Sequence, residues 1–154
     1  MVPMSMESLP TVQIVVALAL FDRAGRVLLQ QRPRNKVHGG LWEFPGGKVE
    51  AGESCERALV RETDEELGVA VDVADISPIF FAIEPPSDSK RQVLLLLFGA
   101  RNWHGEPRAL EAGSTIAWVT RDEMVSLPMP PLDVPLAQAV IPFLEGVAKA
   151  ETPP

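Results

Sequence analysis

Glu62, Glu65 and Glu66 stand at helical spacing within the segment GGLWEFPGGKVEAGESCERALVRETDEELGV, which runs from Gly39 to Val69. A helix advances about 100° per residue, so these three carboxylates fall within one wedge of roughly 100°. Leu59, Val60, Thr63 and Leu67 fill the neighbouring wedge, giving one acidic face and one core face. Like charges three and four residues apart repel, costing about 0.2–0.5 kcal/mol per pair. A solvated acidic helix face has the same pattern. A divalent cation removes the repulsion, and hard carboxylate oxygens suit Mg²⁺ or Mn²⁺ better than softer metals. The Pro45-Gly46-Gly47 turn favours the second reading, because backbone without a Cβ can approach an ion or phosphate closely and aim a carbonyl at it.

From Gly47 the chain reads Gly, five residues, Glu53, seven residues, then Arg61-Glu62-Thr63-Asp64-Glu65-Glu66-Leu67-Gly68-Val69. This pattern resembles the Nudix box. It departs from the box at Thr63, where the family usually has Ile, Leu or Val. The Thr63 hydroxyl can bond back to the carbonyl of Leu59 or Val60 while its methyl still packs. The resemblance implies an α/β/α sandwich with a central mixed β-sheet, and a hydrolase acting on a diphosphate linkage with Mg²⁺, or Mn²⁺ in its place. It places metal ligands at Gly46 (by its carbonyl), Glu62, Glu65 and Glu66. Glu111, in a loop after a Gly-Glu-Pro turn, resembles the further acidic ligand that some members supply from outside the box. Glu62, Glu65 and Arg61 are the implied catalytic set, with Arg61 orienting the glutamates by ion pairing and Glu53 supporting the turn or an outer metal.

Within the family, GGLWEFPGGK together with Gln31-Arg32-Pro33 is most similar to the MutT-like nucleoside triphosphate pyrophosphohydrolases. Those enzymes release the monophosphate and pyrophosphate, and the best known clear 8-oxo-dGTP from the nucleotide pool. The likeness implies substrate contacts at Arg32, Glu43, Phe44, Pro45, Gly46 and Asp133. Guanidinium matches phosphate oxygens with paired hydrogen bonds, which suits Arg32, although a lone strand-end arginine is commonly just exposed. At Asp133 the 8-oxoguanine enzymes of bacteria have asparagine. A carboxylate only accepts while ionised, so Asp133 suits an edge rich in donors, such as guanine N1–H and N2–H₂ or cytosine N4–H₂. It serves equally as a cap before the last helix. Phe44, Phe80 and Trp118 are candidates for a stacking face or for the core. Two other readings stay open: CTP, dCTP, ADP-ribose or another nucleoside diphosphate derivative as substrate, and a nucleotide-binding module without turnover. The usual mark of such a module, loss of box glutamates, is missing.

The elements that must position these residues fit one domain over residues 11–149 of the 154, between a loose leader, 1–10, and a tail, 150–154. A net charge of −7 argues against a partner that is a nucleic-acid polymer or a membrane surface. A small nucleotide remains as partner, with the protein a monomer or homodimer. Cys55 is the single cysteine, which excludes an internal disulfide and agrees with a reducing, cytoplasmic setting. The apolar run Val12–Phe21 is ten residues long, too short to span a bilayer. It reads as a strand that forms a hairpin with Arg26–Gln31 across the turn Asp22–Gly25. His38, in the following loop, reads as solvated. Further strands are expected at Leu41–Phe44, Val69–Ile76, Ile79–Ile83, Val93–Gly99 and Thr115–Val119, with Val93–Gly99 buried on both faces. Helices are expected at Cys55–Leu67, between Ser54 and Gly68, and at Arg121–Ser126, capped by Thr120. A proline-rich loop, Leu127–Pro135, leads into a closing helix to Lys149, in which Pro142 makes a kink or a late start.

Overall fold

The computed structural model describes the backbone of residues 11–151 and the side chains of residues 11–144. The expected leader, 1–10, and the end of the expected tail, 152–154, lie outside the described residues. Strand β1 (Val12–Leu20) is the axis of the molecule. It pairs in parallel with β6 (Gln92–Ala100) along its whole length, and antiparallel with β4 (Gly46–Lys48) on its other edge. Strand β5 (Ser77–Ile83) lies antiparallel to β6 and completes a mixed sheet of order β4-β1-β6-β5. A second, antiparallel sheet of order β3-β2-β7 comprises Trp42–Glu43, Val27–Gln31 and Thr115–Val119.

Alternate residues of β1 enter two different cores, as the two-residue period of a strand requires. Val16, Leu18 and Leu20 face Ala58, Leu59 and Leu67 of helix α1 (Cys55–Leu67). Ala17 and Ala19 face Leu136, Val140 and Leu144 of the last helix. A sheet apolar on both faces must be covered on both, and the two helices do so. Each fully buried leucine in these layers contributes about 1.5–3 kcal/mol.

The expected β1–β2 hairpin does not form. Its turn does: Asp22 accepts the N–H groups of Ala24 and Arg26 at 3.0 and 2.8 Å. Only Phe21 and Val27 then bridge before the strands part into separate sheets. A strand buried on both faces is better matched by the equally apolar VLLLLF run of β6 than by β2. The expected strand Val69–Ile76 is likewise replaced, by one bridge from Ala70 to His104 and a 3₁₀ turn over Val73–Asp75. There the Asp72 carboxylate accepts the N–H of Ala74 and draws the backbone out of extension.

Helix α1 has the expected bounds. Ser54 Oγ accepts the N–H of Arg57, and Gly68, at φ 69°, closes the helix in the left-handed region. The Thr63 hydroxyl donates to the Leu59 carbonyl at 2.7 Å. Helix α2 (Arg121–Ser126) starts in a capping box between Thr120 and Glu123. Helix α3 (Asp133–Glu151) begins at Asp133, so the proline-rich loop ends at residue 132 and Pro135 falls in the first turn. Proline is tolerated there because first-turn N–H groups have no intrahelical acceptor. The helix continues through Pro142 and does not start after it. No helix among the described residues is long and apolar enough to cross a membrane.

Candidate active site

The glycine turn is fixed by contact, because neither Gly46 nor Gly47 has a positive φ. Pairing sets Ala17 opposite Gly46 and Val16 opposite Gly47. A Cβ on Gly46 would lie 1.9 Å from the Val16 carbonyl oxygen, and one on Gly47 would lie 2.3 Å from the Glu62 carboxyl carbon. Bare backbone is what lets helix α1 press its acidic face against β4. The Gly46 N–H donates to Glu66 Oε2 at 3.2 Å.

Arg61 organises the rest of that face. Its Nε and Nη2 each donate at 2.8 Å to a different oxygen of Glu53, and Nη2 also donates to the Lys48 carbonyl. Nη1 reaches Glu62 at 3.0 Å and Glu65 at 3.4 Å. The Arg61 hydrogen bonds hold the Glu53 carboxyl down to about 2, helped by the Glu50 N–H. Glu62 goes the other way: burial raises it, and Arg61 only partly offsets this.

Glu66 is the carboxyl that turns into a cleft of about 520 Å³, a size that suits a small ligand. The walls are Val15–Ala17 and Leu95 from the sheet, Gly46–Lys48 from the turn, and the side chains of Arg32, Lys36, Glu43, Phe44, Glu111 and Asp133. Burial, reinforced by the charges of Glu62, Glu111 and Glu43, pushes Glu66 up to about 8 against the opposing Gly46 N–H. Arg32 Nη1 donates to both oxygens of Glu43, at 3.0 and 3.1 Å, and Nε donates to the Val37 carbonyl at 2.8 Å. Burial raises the Glu43 carboxyl in spite of that partner. Glu111 is ion-paired with Lys36 and approached by Gln30 Nε2 at 3.5 Å. Asp133 is only 4% exposed, and its Oδ2 accepts the Phe44 N–H at 3.2 Å. Burial, then Glu43, raises it to about 7.

Arg32, Glu43, Phe44, Gly46, Glu66, Glu111 and Asp133 are therefore brought to one cleft, as residues singled out in the sequence. Glu62, Glu65 and Arg61 are not on its walls. Glu62 lies behind Gly47, and the Glu65 side chain is 57% exposed. Pro45 is not on the walls either: it is buried, and its carbonyl accepts the Leu18 N–H at 2.8 Å, because the turn is stitched to β1 there. Of the three aromatic candidates only Phe44 reaches the cleft. Trp118 stacks on Trp103 at 5.6 Å in the second core, and Phe80 stands exposed on the edge strand. Exposed His38, at φ 59°, stays outside. Three polar residues at the cleft were not singled out as site residues in the sequence: Lys36, Lys48 and Gln30. Lys36 was hidden in a polar loop. Gln30 is 3% exposed, its Oε1 has no hydrogen-bond partner among the described residues, and the strand pattern alone could have marked it as polar at a buried position.

Among the described residues, no three His, Cys, Asp or Glu side chains converge as metal ligands. This differs from the expected crowding of the glutamates, and the cause is visible: Arg61 draws Glu62 and Glu65 toward itself, and Lys36 holds Glu111. The donor set nevertheless fits a hard divalent cation. Glu66 is desolvated and repelled by three other carboxylates, a state that a cation relieves.

The NUDIX domain family model matches residues 11–140. A CTP pyrophosphohydrolase of Escherichia coli is 38% identical over 126 residues, covering 82% of this chain and 90% of that protein. An 8-oxo-dGTP diphosphatase of Haemophilus influenzae is 31% identical over 127 residues, with the same 82% and 90% coverage. The solution structure of the E. coli ORF135 protein superposes with a TM-score of 0.74 at 32% identity, covering 98% of this chain and 99% of that one.

Proposed function

This chain belongs to the Nudix family of hydrolases acting on phosphoric anhydrides, and we propose that it converts a (deoxy)nucleoside triphosphate to the monophosphate and pyrophosphate. The observation that carries this reading is the cleft itself. Four carboxylates and three cations line a nucleotide-sized space beside the glycine turn and the acidic helix face. Nudix hydrolases generally use divalent metals such as Mg²⁺. Here the Gly46 carbonyl, Glu62, Glu65, Glu66 and Glu111 would hold the cations. Bound Mg²⁺ supplies charge neutralisation on the phosphates and a lowered pKa for attacking water.

The chain's own groups do the remaining work. Arg61 aims Glu62 and Glu65 through the same guanidinium that grips Glu53. Arg32 fixes the Glu43 carboxylate and one end of the 32–41 loop at the phosphate side. Phe44 offers an apolar wall, and Asp133, whose Oδ2 is engaged by the Phe44 N–H, would read the base with Oδ1. The whole of residues 11–149 would act as one domain in the cytoplasm.

Two substrate readings separate at Asp133. Ionised, it accepts from cytosine N4–H₂, and a CTP pyrophosphohydrolase stands among the relatives. The relatives also include an 8-oxo-dGTP diphosphatase, the alternative the sequence first suggests. Purified protein with MgCl₂ and a panel of CTP, dCTP, 8-oxo-dGTP, dGTP and ADP-ribose distinguishes them. The proposal expects pyrophosphate from at least one triphosphate, with kcat/KM ranking the bases. Cleavage of ADP-ribose alone, or of nothing, would overturn it.

A further inference from the structure

We propose that Lys36 is a polyphosphate-binding residue held in reserve by Glu111, with the ammonium and a divalent cation competing for that carboxylate. The inference rests on the reading above that Glu111 is a metal ligand, and goes beyond it by giving the unassigned lysine a role. Lys36 and Glu111 come from different loops and meet across the cleft they both line. A carboxylate oxygen that ligates a divalent cation cannot keep an ammonium in contact, because the two positive charges repel.

The arginine on the wall is not available in the same way. Arg32 spends its Nε on the Val37 carbonyl and its Nη1 on both oxygens of Glu43. Withdrawing it would leave Glu43 largely desolvated without its partner. Lys36 is tied differently. Its side chain is 52% exposed, it carries a point charge with three donors on a flexible stem, and among the described residues its side chain pairs with Glu111 alone. An exposed pair of this kind is held weakly. Glu111, by contrast, stays oriented when the lysine leaves, because buried Gln30 Nε2 faces its other oxygen. One displacement thus does two things: it frees a carboxylate for the cation and swings an ammonium toward the phosphates the same cation accompanies.

The test uses full-length wild-type protein, Lys36→Ala and Lys36→Arg, with three readouts. Free Mn²⁺ is followed by electron paramagnetic resonance without nucleotide, binding of an α,β-methylene nucleoside triphosphate is measured with Mg²⁺ present, and KM is separated from kcat. Removal of the competing ammonium should tighten Mn²⁺ binding by about threefold in Lys36→Ala. The same variant should lose about tenfold in analogue affinity and show a KM about tenfold higher, with kcat little changed. Lys36→Arg should recover part of the analogue affinity, and thermal unfolding should match wild type in both variants. Opposite signs for metal and nucleotide are the signature, which a merely structural lysine cannot give. Unchanged or weakened Mn²⁺ binding, or unchanged analogue binding, in a Lys36→Ala protein whose wild type turns over nucleotides overturns the inference alone. A wild type that binds no Mn²⁺ and cleaves no nucleotide overturns it together with the metal role of Glu111.

Discussion

Glu66 and Asp133 are the residues where burial and charge act together, and both give measurable consequences. Below about pH 4.5 the Glu66 carboxyl is protonated in the folded and unfolded chains alike. Between there and about 8 the unfolded chain ionises while the folded one keeps its proton, so stability falls through that window and levels off above it. Glu66→Gln removes the penalty. In metal-free buffer it should stabilise the fold at pH 8.5 by about 1–3 kcal/mol and leave it nearly unchanged at pH 4.5. Equal shifts in Tm at the two pH values would contradict the assignment. The same substitution should cost at least about a hundredfold in kcat, since the proposed metal ligand and its charge are lost together. At Asp133 the charge is half lost near pH 7, and only the ionised form is restricted to accepting. Asp133→Asn supplies a donor and an acceptor at every pH. Its ratio of kcat/KM for 8-oxo-dGTP to that for CTP should rise above wild type, and a ratio that does not move removes Asp133 from base reading.

At the scale of elements, the turn and helix α1 make a paired prediction. Gly46→Ala drives a Cβ into the Val16 carbonyl, which is backbone and cannot yield, so β4 must leave β1. A loss of about 2–4 kcal/mol in a chemical denaturation curve is expected. Gly47→Ala drives its Cβ into the Glu62 carboxylate, the mobile end of a side chain. That protein should unfold within about 1 kcal/mol of wild type yet lose at least about tenfold in kcat, because Glu62 is displaced from its place under Arg61. Similar stability losses in both would mean the turn is held by something other than these contacts. Thr63→Val, which drops a hydroxyl bonded to a carbonyl within its own helix, should change stability by less than about 1 kcal/mol. Helix α1 was legible because Ser54 and Gly68 mark its two ends chemically, and Thr120 with Glu123 does the same for α2. The β1–β2 hairpin was misread for the opposite reason. Asp22 and Gly25 specify a turn, but nothing local to them says that β1 will prefer a parallel partner eighty residues away. Val69 and Val71 are buried, as an apolar alternation suggests, but they pack as irregular chain leaving α1, with Asp72 ending any extension.

At the scale of the molecule, two sheets and two helices bring to one cleft carboxylates that are far apart in sequence: Glu43 from β3, Glu66 from α1, Glu111 from a loop and Asp133 at the start of α3. The sequence could name each of these through the family resemblance, since no spacing of their own joins Glu43, Glu66, Glu111 and Asp133. It could not show that Lys36 holds Glu111, since an ion pair across a cleft leaves no spacing to read. The net charge of −7 makes the apo cleft unwelcoming to a triphosphate, so cation and nucleotide should bind with mutual help. The central claim is that this charge is arranged to cut a nucleoside triphosphate into monophosphate and pyrophosphate with a divalent cation. Phosphorus-31 NMR of CTP and of 8-oxo-dGTP incubated with the protein, with and without Mg²⁺, tests it directly. The account predicts a pyrophosphate signal rising in step with the monophosphate, only when Mg²⁺ is present and not with Glu66→Gln. Orthophosphate in place of pyrophosphate, the same turnover after chelation, or no turnover of either nucleotide would contradict it.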